Sequence, residues 1–315
     1  MISVYIRFFY ADDAFVCSTT EKGLQEILDE LSSYCQLWGL TINTSKTKIM
    51  VFERGRASSP NIVLNGTQLE YVSSFKYLGI MFFKNGNWSR SQKHIAQHAE
   101  ASLHRLYSLF NNAILPIQDK CKLFDVMVGS VLSYADAAWW FIDANDIEQV
   151  HLRFCRKILS VRKSTNMSAL YGELGRFPLR ILRKLHMLNF WNKMLNNPDS
   201  LSFKVYLKLV QYSNNNNSLR GMNWATHLKQ LLENLGMSYI WQSQFTAEIP
   251  IQLIRLRILD QFKQSWYFDI NNAVRLQSYS RFKFSLDLET YFTSITNSNF
   301  VWRLLDFVYR LIHWK

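Results

Sequence analysis

The chain has 315 residues, 48% of them hydrophobic, and a formal charge of +12 from 36 Lys and Arg against 24 Asp and Glu. This length and apolar content suffice to bury a sizeable core, and with only 5 Pro and 11 Gly they exclude disordered, collagen-like and low-complexity classes. The basic excess favours nucleic acid or another polyanion as partner. The cysteines at 17, 35, 121 and 155 are too scattered for a disulfide scaffold or a zinc site, which reads as a reduced, intracellular protein of the nucleus or cytoplasm. The first residues have no leading basic region and reach Asp12-Asp13 early, so no signal peptide is expected. The apolar run 126–142 is too short for a bilayer and carries Asp136, so no membrane segment is expected.

Residues 2–17 are aromatic and β-branched, interrupted by Ala11-Asp12-Asp13, which predicts a hairpin with the two aspartates at its tip. Thr20 is placed to cap a helix whose apolar positions Leu24, Ile27, Leu28, Leu31, Cys35 and Trp38 share a face that packs on the hairpin; Gly39 is placed to end it. Extended segments are expected at 40–43, 47–52, 62–64 and 68–72, the last two joined through Asn65-Gly66. Residues 75–83 read as one more strand, closed by a turn at 84–87. The apolar period then becomes helical, with helices expected at 91–111, 118–141, 147–161, 178–196, 224–235 and 249–268. A polar run at 214–217 marks the best internal linker, and 54–60 a lesser break. The fold class that follows is α+β, sheet first.

Adjacent aspartates at the tip of an apolar hairpin concentrate negative charge and suit a hard divalent cation such as Mg²⁺; an acidic turn is the plain alternative. The surrounding residues are more specific. Phe9-Tyr10-Ala11-Asp12-Asp13, followed by Ala14-Phe15-Val16, resembles the Tyr-x-Asp-Asp hairpin of reverse transcriptases, in particular those of non-LTR (LINE-like) retrotransposons. The run from Cys35 through Trp38-Gly39-Leu40-Thr41-Ile42-Asn43 to Lys46-Thr47-Lys48 resembles the next palm motif of that family. Phe75-Lys76-Tyr77-Leu78-Gly79-Ile80 is similar to its primer-gripping hairpin, and Tyr171-Gly172-Glu173-Leu174-Gly175-Arg176 to a segment downstream of its thumb. The resemblance extends to about residue 196.

The resemblance implies a partial palm sheet at 1–90, a helical thumb-like region at 91–196 and a helical C-terminal region of unknown role at 197–315. It implies nucleotidyl transfer by two Mg²⁺ (or Mn²⁺) ions about 3.5–4 Å apart, with an RNA template, a DNA primer or RNA–DNA hybrid, and deoxynucleotides as partners. Asp12 is then the bridging metal ligand, Asp13 its companion, and Lys46 the proton donor to pyrophosphate. Tyr10 lies beside the primer terminus, and Tyr77, Leu78 and Gly79 hold the primer strand. Lys46 and Lys48 read equally as solvated charges, and Gly79 as a simple bulge. The fingers and first palm strands of that family, with a further metal-binding aspartate, are not found ahead of Tyr10. The expectation is therefore a truncated reverse transcriptase, incomplete in its metal site and inactive alone. The alternative is a non-enzymatic nucleic-acid-binding or scaffold remnant.

Other chemical features are read as structural. Tyr134-Ala135-Asp136 repeats the first motif within a helical pattern and is expected near a partly exposed helix end. His94 and His98 have metal spacing without the glutamate a zinc hydrolase needs. Trp139, Trp140, Trp191 and Trp224 read as core. Arg153, Arg156, Lys157, Arg162 and Lys163, followed by Arg176, Arg180, Arg183 and Lys184, form a basic stretch; Arg153, Arg156 and Lys157 share a helical face that suits phosphate contact or plain solvation.

Overall fold

The computed structural model describes residues 6–52, 61–112, 115–215 and 223–292. Within it the chain divides into two compact units, Met1–Ser91 and Gln92–Lys315. The described residues are mixed α and β, mostly helical, with four two-stranded sheets. Among the described residues no helix is long and apolar enough to cross a membrane.

In the first unit β1 (Ile6–Tyr10) and β2 (Asp13–Cys17) form an antiparallel hairpin in which Phe8 faces Phe15 and Tyr10 faces Asp13. Helix α1 (Glu21–Leu37) begins where Thr20 accepts the amide of Gly23 at 3.1 Å. It ends in a left-handed Gly39, with Leu40 N–H bonded back to the Cys35 carbonyl at 2.8 Å. Its buried face holds Ile27 and Leu28 but stops short of Trp38, which is 65% exposed beside Tyr34.

The strands after α1 are short: β3 (Lys48–Ile49), β4 (Val63–Leu64), β5 (Thr67–Gln68) and β6 (Glu70–Tyr71). The expected extended segment at 40–43 forms no strand, because Asn43 instead organises a turn that accepts the amides of Lys46 and Thr47. Parallel β3 and β6 are pinned by Lys48 opposite Glu70, with Nζ to Oε2 at 2.6 Å. Asn65 and Gly66, at φ 50° and 76°, close the β4–β5 hairpin as expected. Gln25 of α1 pairs its amide with the backbone of Val63 in both directions, at 2.7 and 3.0 Å, and so satisfies the edge of β4. Leu28, Ile49, Ile62, Leu64 and Leu69 form the core here, with Val16 packed against it.

Residues 75–83 are not one strand. β7 (Ser74–Tyr77) and β8 (Ile80–Phe83) form a hairpin, because Leu78 at φ 45° and Gly79 at φ 83° supply the two left-handed residues of a primed two-residue turn. The lesser break expected at 54–60 lies outside the described residues.

Helix α2 (Trp88–Asn112) leads into the second unit. The single helix expected at 118–141 is broken into α3 (Ile117–Phe124), a π-helical turn at Asp125–Gly129, α4 (Ser130–Leu132) and α5 (Asp136–Trp139). The break is Ala135 at φ 54°, which turns Asp136 inward to a 2.7 Å hydrogen bond with His186. Asp136 is thus buried, not partly exposed as expected.

There follow α6 (Asn145–Ile158), α7 (Met167–Glu173), α8 (Leu179–Leu195) and α9 (Leu201–Asn215). After these come α10 (Trp224–Asn234), α11 (Ser238–Ser243), α12 (Ile251–Asn272) and α13 (Gln277–Ser280). Helices α7, α9, α11 and α13 were not expected. The first two residues of the polar run at 214–217 lie in α9, and the rest lie outside the described residues. Helix α8 starts at Pro178, and Glu148 of α6 accepts its first two free amides, Leu179 at 3.1 Å and Arg180 at 2.5 Å. All four tryptophans read as core are buried.

The glycines of α7 and the residue beyond it are places where the backbone leaves no room. A β-carbon on Gly172 meets Trp266 Cζ2 at 2.8 Å and Tyr279 Oη at 2.5 Å. Gly175, at φ 59°, lies directly under the backbone of Asp287 and Leu288. We expect Gly175→Ala to destabilise the second unit by at least about 2 kcal/mol, from left-handed strain plus overpacking. Gly39→Ala, left-handed but in open space, should cost only about 1 kcal/mol. Urea unfolding followed by circular dichroism ranks the two; equal costs would show that the Asp287–Leu288 crossing is not a tight one.

Candidate functional site

The alternation of β2 decides what the hairpin presents. Val16 and Ala14 face one way, and Val16 joins the core; Asp13, Phe15 and Cys17 face the other. On that second face Phe15 packs on Phe8 across the hairpin, with ring centroids 5.9 Å apart, and on Tyr77 of β7 at 5.7 Å. The Tyr10–Asp13 pair is the next position outward on the same face. The aromatic contact therefore fixes the acidic tip relative to the Leu78-Gly79 turn, within one unit.

At the tip Ala11 takes φ 51°, a conformation that costs a non-glycine residue about 1 kcal/mol. It brings Asp12 and Asp13 side by side into solvent, next to Tyr10, which is 65% exposed. Neither carboxylate makes a hydrogen bond or ion pair among the described residues. Carboxylate oxygens fit Mg²⁺ by chemical type, and two adjacent ones fit a hydrated ion that keeps most of its water. Among the described residues no group of three or more His, Cys, Asp or Glu side chains could hold a metal ion.

Lys46 sits exposed in the Asn43 turn, its amide 3.2 Å from the Asn43 carbonyl and 3.1 Å from Oδ1, and makes no ion pair with either aspartate. Lys48 is engaged by Glu70. Tyr77 is half-buried under Phe15, while Leu78 and Gly79 are exposed in the turn. The structure thus brings together Tyr10, Asp12 and Asp13 on one hairpin and joins it to Tyr77. It shows no contact that joins Lys46 to them. Phe15, which makes the join, stands in the motif run without an expected role, and Phe8 behind it lies outside that run; both follow from the period-two pattern of the hairpin.

In the second unit the basic stretch separates into buried and exposed members. Arg176 is mostly buried, its side chain 10% exposed: its Nε donates to His151 Nε2 at 2.8 Å, its Nη atoms bind Asp125, and its plane covers Phe124 at 5.2 Å. Burial and the adjacent Arg176 hold His151 neutral, well below the ordinary imidazole range. Arg183 is also buried, over the Trp139 ring and 3.8 Å from Glu148. Arg153, Lys157, Arg162 and Lys163 stay exposed and Arg156 is half-buried. Arg153 is opposed by Glu100, and Lys157 lies 5.9 Å over the Tyr107 ring. His94 and His98 stand with ring centroids 4.4 Å apart.

Residues 5–82 match the family of reverse transcriptase (RNA-dependent DNA polymerase). Over 103 residues the chain is 30% identical to the RNA-directed DNA polymerase from mobile element jockey of Drosophila melanogaster, covering 31% of this chain and 11% of that protein. Its counterpart in Drosophila funebris is 25% identical over 161 residues, 47% of this chain and 17% of that protein. A transposon-derived protein of Caenorhabditis elegans is 26% identical over 192 residues, 58% of this chain and 66% of that protein. No solved structure matches the chain. The matched residues 5–82 contain both the Tyr10–Asp13 tip and the Tyr77–Gly79 turn, so the similarity to the reverse transcriptase family falls on the first unit, and the chain spans under a fifth of the length of the jockey polymerases it matches.

Proposed function

We propose that this chain is part of an RNA-directed DNA polymerase of a LINE-like retrotransposon, and that its first unit carries the Tyr-Ala-Asp-Asp portion of a palm. The observation that carries this reading is the solvent-facing Asp12–Asp13 pair at a hairpin tip, buttressed by Phe15 on Tyr77, inside residues that match the reverse transcriptase family. Asp12 and Asp13 would hold Mg²⁺ or Mn²⁺, which when bound supplies charge stabilisation for nucleotidyl transfer from deoxynucleotides. Tyr10 would border the primer end, and Tyr77, Leu78 and Gly79 would hold the primer strand, the exposed turn at Gly79 allowing close backbone approach. Lys46, free in its turn, would reach the leaving pyrophosphate only if substrate draws it in. The helices from α2 to α8 would serve as the thumb-like region along an RNA template and DNA primer.

Two carboxylates without a third acid among the described residues favour a second reading for the chain on its own: binding without synthesis. Phosphoryl transfer depends on positioning and charge placement, and a half-anchored ion supplies neither. The purified chain with a primed RNA template, Mg²⁺ and deoxynucleotides should extend no primer. Calorimetry should find weak Mg²⁺ or Mn²⁺ binding that Asp12→Asn removes. Robust Asp12-dependent extension would overturn the inactive reading, and tight metal binding that survives Asp12→Asn would overturn the site itself.

For nucleic acid, the exposed Arg153, Lys157, Arg162 and Lys163, with half-buried Arg156, suit sequence-independent phosphate contact. Each phosphate neutralised should contribute about −0.9 to the slope of log affinity against log salt on B-form DNA. Lys157→Glu with Lys163→Glu should flatten that slope by about two contacts, measured by fluorescence anisotropy from low to moderate salt. Affinity that ignores salt would reduce this face to solvated surface.

A further inference from the structure

The segment after α13 reverses the ordinary pattern of inside and outside. Lys283 is 1% exposed, whereas its neighbours Phe282 and Phe284 are 44% and 67% exposed. The ammonium is held inward by the Asp287 carbonyl at 2.9 Å and by the Glu289 carboxylate. Tyr267 of α12 donates its hydroxyl to the Phe284 carbonyl and sets a third partly exposed ring beside the segment. A buried ion pair carries a desolvation penalty and adds little stability over apolar packing of the same volume. Stability therefore gives no reason for burying the lysine and turning two phenyl rings out.

The charge around these rings points to their ligand. Residues 274–284 contain no acid, and Arg275 and Arg281 are exposed and make no ion pair among the described residues. Elsewhere in this unit Arg153, Arg176 and Arg183 are each opposed by a carboxylate. Exposed aromatic rings next to free guanidinium groups form the combination that holds single strands, bases stacking on rings and phosphates meeting cations. We propose that Phe282 and Phe284, with Arg275 and Arg281, form a single-stranded nucleic-acid site. This site lies outside residues 5–82 and uses none of the α6 basic residues. The inference takes the ligand's class from the nucleic-acid reading above and is otherwise independent of it.

The test uses the full chain with a fluorescein-labelled oligouridylate and, separately, an RNA duplex of equal length. Phe284→Ala, at an exposed position that folding tolerates, should weaken single-strand binding about tenfold, and Phe284→Trp should restore it. Duplex affinity should stay unchanged, because paired bases cannot stack on a side chain. Arg281→Ala should lower the salt slope for the single strand by about one contact. Lys157→Glu should weaken duplex binding while leaving the Phe284 effect in place. Single-strand binding that is indifferent to Phe282→Ala and Phe284→Ala overturns this site alone and leaves the rings to a protein partner. Absence of binding to either oligonucleotide overturns the general nucleic-acid reading with it.

Discussion

The period-two alternation of β2 is the constraint on which the first unit's chemistry depends. Val16 must face the core around Leu28 and Leu64, so Asp13 and Phe15 must face away from it. Phe15 then meets Tyr77, and the acidic tip is tied to a second hairpin by a ring contact, not by a hydrogen bond. A one-residue slip in register would move Asp13 to the core face and Val16 to solvent. Register and site are therefore one specification, enforced by the cost of burying a carboxylate without a partner.

In the second unit the organising interactions are charges taken inside and matched. Arg176 bridges Asp125, at the start of the π-helical turn, to His151 of α6, and lies over Phe124. Glu148 closes the first amides of α8 and stands by Arg183. Lys283 does the same for the final described segment through Glu289. The charge of +12 is thus not spread over the surface, because part of the basic count is spent as internal ties. Other basic residues stay exposed, among them Arg153 and Lys157 of α6, Arg162 and Lys163 after it, and Arg275 and Arg281 around α13.

The sequence made much of the first unit legible because its signals are local. Thr20, Gly39 and Asn65-Gly66 each act through bonds to nearby backbone, and each does what its chemistry allows. The 75–83 strand failed because Leu78 carries the first left-handed position of the turn, a role usually left to Asn, Asp or Gly. The tip of the site was legible for the same local reason, whereas its buttress was not: Phe15 and Tyr77 are far apart in sequence. In the second unit an arginine reads alike in sequence whether it is buried or left in solvent. Only the fold separates buried Arg183 from exposed Arg153.

The two Tyr-Ala-Asp sequences show how little the local backbone determines. Both place alanine in the left-handed region, at φ 51° for Ala11 and 54° for Ala135. At Ala11 the strands on either side are satisfied by each other, so the following aspartates project into solvent and keep their charge available. At Ala135 the turn lies between two helical pieces over α8, and Asp136 is drawn to His186. That bond raises the imidazole above its ordinary range against the opposing effect of burial. The second aspartate is consumed as a structural tie, and the same three residues give a solvent-facing carboxylate in one unit and a clasp in the other. The difference lies in what the flanking elements leave unsatisfied: nothing around Ala11, and a half-buried imidazole beside Ala135.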